Sequence, residues 1–406
     1  MTTTTTTATA TKAPAHAFDT AGLDACPFMP VFGPPQIMFV KGRGTELWDA
    51  DGKRYLDFLG GLAVIGLGHA NPVVAEAIAH QAGELLHVSN LFANPVATRA
   101  AMEVDRLLAE VTGQLGQVFF TNSGAEANEC AIKLARKHGG RGRHVVVSAL
   151  GSFHGRTLAS LAATGQPTKH EPFQPMPEGF HHVAWGDIDA LDKAVDATVA
   201  GVLIEPVQGE GGVNVAPPGY LSTIREICDA TGALMMVDEI QTGFGRTGRW
   251  FGFEHDGVAP DVVTLAKAMG NGMPIGACWA RADVAAVFEP GDHGSTYSGT
   301  AIATAAVNAV ISEMRRLDAP ALATEKGARL AGALSALPGV GVVRGKGLLL
   351  AAELTEHDAP AVYRQLLADG LVTNAVTPTA LRFAPPLTVT DDEIDEAVAM
   401  VGRALT

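Results

Sequence analysis

The chain has 406 residues, 47% of them hydrophobic, and a formal net charge of −14 at pH 7. That length can bury a large core and suits two or three structural units. The acidic balance argues against a nucleic-acid surface, and no stretch reaches the ~18 consecutive apolar residues of a membrane span. Cys26, Cys130, Cys228 and Cys278 are far apart and form no CxxC pattern, which suits a reduced protein without a disulfide frame and gives no zinc motif.

Residues 1–25 begin with MTTTTTTATATKAPAHA, a low-complexity Thr/Ala tail expected to be disordered. It has no apolar stretch for a secretory signal, and Lys12 stands alone where a mitochondrial presequence carries several arginines, so the expected location is the cytoplasm. Residues 26–71 follow as an N-terminal segment, in which GRGTELWDADGKRYLDFLGG reads as two strands about an Asp51-Gly52 turn.

From residue 72 to about 300, helices and strands alternate. Pro72 to Leu86 and Ala97 to Val111 read as helices, Gln117 to Thr121 as a strand, and Ala125 to His138 as a helix closed by Gly139-Gly140. Apolar strands follow at Arg143 to Ser148, Val202 to Glu205, Ala233 to Asp238 and Val262 to Leu265, with a helix at Tyr220 to Thr231. This alternation predicts an α/β unit with a mostly parallel sheet covered on both faces. From Ala301 to the C-terminus, one long Ala-rich helix, the strands of GVGVVRGKGLLLAAEL, a helix, the strand ALRFAP and a last helix predict a smaller α+β unit.

The chemistry concentrates in a few strings. ALMMVDEIQTGFGRTG puts Asp238 at the end of an apolar strand, and TLAKAMGNGMPIG puts Lys267 among small and apolar neighbours. A lysine amine that forms a Schiff base with an aldehyde, and a carboxylate that keeps a pyridine nitrogen protonated, are what pyridoxal phosphate (PLP) requires. A lone lysine is more often a solvated surface group and an aspartate after a strand more often a turn residue, so the surroundings decide. In VFFTNSGAEANECAIKLARKHG a strand runs into Asn122-Ser123-Gly124-Ala125 and a helix starts, offering free N–H groups and the positive dipole end to an anion. Ser123 could equally be a plain helix cap.

Gly243-Phe244-Gly245-Arg246-Thr247-Gly248 matches GxGxxG, but RWFGFEHDG behind it opens no helix, so the dinucleotide reading fails its own context. Arg156 in SFHGRT and Arg382 in LRFAPP are candidates for gripping a carboxylate, for which the planar guanidinium fork is suited. Either could instead be a structural ion pair. Glu205 and Glu210 in IEPVQGEGG could hold an idle arginine or be exposed turn acids, and Phe153 could lie on a heteroaromatic ring or pack in the core.

Taken together, these residues resemble the class III (ω-type) aminotransferases of the type I, aspartate aminotransferase-like PLP fold, and among them the acetylornithine aminotransferases. The resemblance runs from about residue 30 to the C-terminus through VKGRGTELWDADGKRYLDFLGGLAV, HVSNLF, FTNSGAEANECAIKLAR, FHGRT, IEPVQGEGG, VDEIQTGFGRTG, LAKAMGNGMPIGA, GSTYSG and LRFAPPLTVTDDEID. It implies that Lys267 is the cofactor lysine and proton carrier, that Asp238 pairs with the ring nitrogen and that Gln241 sits near the ring hydroxyl. Phe153 would stack on the ring, and Ser123, Gly124 and Ala125 would bind the phosphate. Ser295 and Thr296 would reach the phosphate of a neighbouring subunit, which makes the expected assembly a homodimer with shared sites. Arg156 would take the distal carboxylate, and Arg382 would be shielded by Glu210 until glutamate needs it. The implied reaction takes N-acetylornithine and 2-oxoglutarate to N-acetylglutamate semialdehyde and glutamate, a step of arginine biosynthesis, with no metal.

Two stretches depart from the family: Ser298-Gly299-Thr300-Ala301 stands where Gly-Gly-Asn-Pro is usual, and HVSNLFANP lacks a Glu before Pro95. Other ω-aminotransferases acting on succinylornithine, ornithine, 4-aminobutyrate or a lysine-pathway substrate share every catalytic residue named. An aminomutase would have no use for a switchable arginine, and a non-catalytic regulator none for an intact Lys267 and Asp238.

Overall fold

In the computed structural model of the chain, residues 28–33 and 35–406 are described; the Thr-rich tail of residues 1–25 and Cys26 lie outside them. A seven-stranded sheet forms the centre, in the order Gly116–Thr121, Gly276–Arg281, Val262–Leu265, Leu234–Asp238, Val199–Ile204, Val145–Ala149, Phe180–Val183. Six strands run one way and Gly276–Arg281 runs against both its neighbours. Val145–Ala149, Leu234–Asp238 and Val262–Leu265 are buried along their whole length, as strands covered on both faces must be. Because the parallel strands share a direction, Asn122, Glu205, Asp238 and Lys267, each at or just past a strand end, gather along one edge of the sheet. A crevice beyond the carboxyl ends of strands is where α/β sheets hold ligands.

Two smaller sheets flank this unit. Phe39–Arg43, Glu46–Asp49 and Arg54–Asp57 pair in sequence, and Leu371–Val372 adds parallel to the last of them, so the N-terminal strands are tied to the C-terminal part of the chain. Val340–Lys346, Leu349–Leu354, Ala380–Phe383 and Asn374–Ala375 form the other sheet. The final helix, Asp391–Ala404, starts on a capping box: Thr390 Oγ1 accepts from Glu393 N–H, and the Glu393 carboxylate accepts from Thr390 N–H at 2.7 Å.

The predicted helices and strands between residues 72 and 265 are present, with ends shifted by a few residues. Three features differ from expectation. The strand expected at Val202 starts at Val199 and stops at Ile204, leaving Glu205 just past its end. The run from Ala301 is two helices, Ala301–Leu317 and Ala319–Ser335, because Asp318 takes a left-handed φ of 50° and Pro320 starts the second. The first of these helices packs on Pro72–Glu84 and Pro95–Thr112. The antiparallel strand Gly276–Arg281 was not anticipated. Among the described residues no helix is long and apolar enough to cross a membrane.

Candidate active site

A cavity of about 410 Å³ opens at the strand ends. Its lining includes Ser123, Gly124, Ala125, Phe153, Arg156, Glu205, Glu210, Asp238, Gln241 and Lys267. Residues chosen from strings up to 144 positions apart, Ser123 to Lys267, thus share one wall.

Lys267 follows the strand Val262–Leu265 and begins a single 3-10 turn, Lys267–Met269, with a φ of 49°. A left-handed lysine is uncommon and stays only where its surroundings fix it. Burial pushes its pKa below the ordinary lysine value; Glu210, Asp238 and Glu205 oppose the shift, and Arg382 adds to it. The amine therefore tends toward its free-base, nucleophilic form.

Asp238 is 4% exposed and held by a relay of buried groups. Its Oδ2 accepts from Asn128 Nδ2 at 2.8 Å and faces His154 Nδ1 at 2.8 Å, while Oδ1 accepts the Ile240 N–H at 3.1 Å. Asn128 Oδ1 in turn accepts from Thr264 Oγ1 at 2.8 Å, and Asn128 Nδ2 also donates to His154 O at 2.7 Å. Asn128 and His154 were not singled out in the sequence. FHGRT contains His154, but nothing in the spacing marks it as a partner of Asp238.

The helix Gly124–Gly139 begins at the next position along the edge. Ser123 is its N-cap, accepting the Glu126 N–H at 3.3 Å, so the capping role is real. Its hydroxyl proton stays free to donate, and the first-turn N–H groups of Gly124 and Ala125 lack intrahelical acceptors. A Cβ on Gly124 would lie 2.7 Å from Ile240 Cδ1, so a larger residue there requires the Ile240 side chain to shift. A wall of free donors at a helix N-terminus suits a phosphate.

Gln241 Oε1 is buried without a hydrogen-bond partner. A Cβ on Gly209 would stand 1.4 Å from that oxygen, so the glycine makes room for the amide. An unfilled acceptor, a buried carboxylate, free N–H donors at a helix start and a buried lysine form a set of groups that fits PLP. Phe153 lines the same space.

The two glutamates part company. Glu210 Oε1 pairs with Arg382 Nη1 at 2.5 Å, and Gln241 Nε2 reaches the same oxygen at 3.5 Å. Burial pushes the Glu210 pKa up, but the Arg382 guanidinium, together with Lys267 and Gln241, outweighs it and the net shift is downward. Arg382 is 1% exposed; Nε donates to Asn374 Oδ1 at 3.0 Å, Nη1 also reaches Gly209 O at 3.3 Å, and Nη2 has no partner. Glu205 holds no arginine: its Oε2 accepts the Phe153 N–H at 3.2 Å, and burial together with Asp238 pushes its pKa well above the usual carboxylate range. Arg156 is exposed and lies over the Phe153 ring at 5.7 Å from the centroid.

Ser295 and Thr296 do not line this chain's own cavity; Ser295 Oγ accepts from Asn122 Nδ2 at 3.1 Å, and Thr296 is exposed. At the departure that follows, Ser298 is buried, its carbonyl accepting from Asn90 Nδ2 at 3.0 Å, and Gly299 keeps a φ of 66° against Phe120. The GxGxxG string forms turns followed by the 3-10 segment Gly252–Asp256, so no dinucleotide helix opens there.

The profile of the family described as Aminotransferase class-III matches residues 30–405. An acetylornithine aminotransferase of Caldanaerobacter subterraneus subsp. tengcongensis is 46% identical over 379 residues, covering 91% of this chain and 95% of the relative. One from Streptomyces coelicolor is 47% identical, covering 90% of each. The crystal structure of the ornithine aminotransferase of Toxoplasma gondii superposes with a TM-score of 0.88 at 34% identity, over 94% of this chain and 93% of that one.

Proposed function

The chain belongs to the class III aminotransferases, which are PLP-dependent transaminases, and from that premise we propose that it moves the δ-amino group of N2-acetyl-L-ornithine to 2-oxoglutarate. The products are N-acetyl-L-glutamate 5-semialdehyde and L-glutamate, in arginine biosynthesis in the cytoplasm. When bound, PLP supplies an electron sink that acidifies the C–H bond at the amine-bearing carbon.

The remaining work falls to the chain's own groups. Lys267 Nζ takes the proton from the substrate's amine-bearing carbon and later returns one, a task suited to its lowered pKa. Asp238, fixed by Asn128 and His154, keeps the ring nitrogen protonated. When PLP is bound, Gln241 would offer its free Oε1 to the ring hydroxyl, and Phe153 would cover the ring face. Ser123, Gly124 and Ala125 would hold the phosphate, and Ser295 and Thr296 of a second copy would close over it. A homodimer is supported by the exposed apolar side chains of Leu91, Phe92 and Tyr297, 85%, 69% and 63% accessible, beside that loop.

The single observation that carries the substrate reading is the asymmetry of the arginines. Arg156 lies open at the cavity while Arg382 is capped by Glu210. An N-acylated ω-amine brings one carboxylate, which Arg156 takes. Glutamate brings two, and the second displaces Glu210 from Arg382. One pocket thereby handles an amine at the chain end and an amine on the α-carbon.

The test is the visible spectrum of the purified holoenzyme during single half-reactions with N-acetylornithine, succinylornithine, ornithine, 4-aminobutyrate and glutamate. Loss of the cofactor band with glutamate, and fastest with N-acetylornithine, is the expected result. A faster loss with another ω-amine would keep the mechanism and replace the substrate. No cofactor band, or one that persists in Lys267→Ala, would overturn the reading.

A further inference from the structure

Arg156, which lines the cavity, is not the only cation beside the Phe153 ring; Lys169, not itself part of the lining, is another. After the helix Leu158–Ala163 the chain makes two 3-10 turns, Pro167–Lys169 and Glu171–Phe173. The first of them ends on Lys169, whose Nζ stands 5.2 Å from the centroid of the Phe153 ring. The Arg156 guanidinium is 5.7 Å from the same centroid. One cavity-lining aromatic ring thus carries two positive charges.

Among the described residues, no ion pair joins Arg156 or Lys169 to a carboxylate. The hydrogen bond of Lys169 goes to the neutral Gln166 Oε1, and Gln166 is itself anchored by Nε2 to Ser152 O at 2.9 Å. Burial and the Arg156 charge both push the Lys169 pKa down, opposed by Glu210. That glutamate is already committed to Arg382 at 2.5 Å. Attraction to an aromatic face is modest where water reaches, and gives no reason to bring two cations together. A carboxylate that both can reach would supply one.

We propose that Lys169 joins Arg156 in binding the substrate carboxylate distal to the reacting carbon, and so sets the preference for acids over neutral side chains. The inference rests on the aminotransferase reading above and deepens it. The guanidinium fork fixes the plane of the carboxylate through two parallel hydrogen bonds, and the ammonium adds a point charge from the side. The same pair serves the α-carboxylate of the acylated donor and the side-chain carboxylate of glutamate or 2-oxoglutarate.

The test compares two acceptors in the full holoenzyme: 2-oxoglutarate, and 2-oxopentanoate, which lacks the distal carboxylate. In Lys169→Met and Lys169→Gln, kcat/KM for 2-oxoglutarate falls about five-fold through KM, as loss of one partly exposed charge contact predicts. That for 2-oxopentanoate is unchanged, kcat stays within about two-fold, and Lys169→Arg restores the wild-type ratio. The visible cofactor band verifies that each variant is loaded. A ratio of the two acceptors equal to wild type, whether both rates fall together or neither does, overturns the proposal. The ratio is read with any donor that works, so a failure with N-acetylornithine would refute the substrate assignment without touching this result.

Discussion

Glu210→Gln gives the sharpest test of the arginine switch. In the resting site the Glu210 carboxylate is 2.5 Å from an Arg382 side chain that is 1% exposed and has one guanidinium nitrogen already without a partner. Removing one charge of a buried pair leaves the other uncompensated, at a cost of about 3 kcal/mol at the lower end of the usual range, which suits a glutamine that keeps one acceptor oxygen. The cost applies while Arg382 is capped, that is, when the ω-amine donor is bound. It largely vanishes when glutamate's own carboxylate occupies Arg382. The ratio of half-reaction rates, N-acetylornithine over glutamate, should therefore fall by roughly 100-fold. Glu210 is also the first of the groups that hold the Lys267 pKa up, so its loss should move the lysine's titration to lower pH in both half-reactions. Stopped-flow absorbance with each donor alone measures both effects. Equal slowing of the two half-reactions would show that Glu210 is only a structural anchor, and the switch would fall.

Other expectations separate holding the cofactor from using it. Ser123→Ala removes a helix cap worth about 1 kcal/mol and a phosphate donor; the Kd for PLP should rise roughly 5–10-fold while kcat at saturating PLP is preserved, measured by cofactor titration. His154→Gln should slow both half-reactions alike and shift the cofactor's absorption, since it loosens Asp238; a normal spectrum with normal rates would remove His154 from the site's support. Gly209→Ala puts a methyl where Gln241 Oε1 now sits, and the released amide should weaken PLP binding more than it lowers the melting temperature. Glu239, buried and accepting from Thr242, Gly252 and Phe253, has its pKa raised to about 7 by burial. A raised acid contributes stability below its unfolded pKa of 4.5 and loses it as pH rises toward 7. Denaturant midpoints should show that fall across this window, and Glu239→Gln should flatten it.

Much of this was legible in the sequence because strand ends carry their own punctuation. Asp238 and Lys267 each close an apolar run, and Asn122-Ser123-Gly124 marks a strand-to-helix turn that the structure keeps. What the sequence hid was pairing at a distance. Asn128 and His154 reach Asp238 from 110 and 84 residues away, and a buried Asn or His in a helix or loop looks like any other. Glu205 and Glu210 looked equivalent five residues apart. Only the fold turns one toward a backbone N–H and the other toward Arg382. The break at Asp318 was masked by strong helix formers on both sides, Met314 to Leu317 before it and Ala321 to Ala323 after it, although Pro320 signalled it. The strand Gly276–Arg281 opens on a glycine and follows a stretch broken by Gly270, Gly272 and Pro274, and its antiparallel course depends on a partner far upstream.

That last strand also sets the order in which the molecule can be built. Gly116–Thr121 lies at the sheet's margin with Gly276–Arg281 as its neighbour, joining residue 116 to residue 281. On a ribosome adding roughly 5–20 residues per second, the first strand waits on the order of ten seconds or more for its mate. During that time an apolar edge and the turn leading into Ser123 have no fixed support, an opening for association with other nascent chains. The cofactor pocket is thus a late product of synthesis. Chaperone capture of chains truncated between residues 125 and 275 is where that delay would become visible.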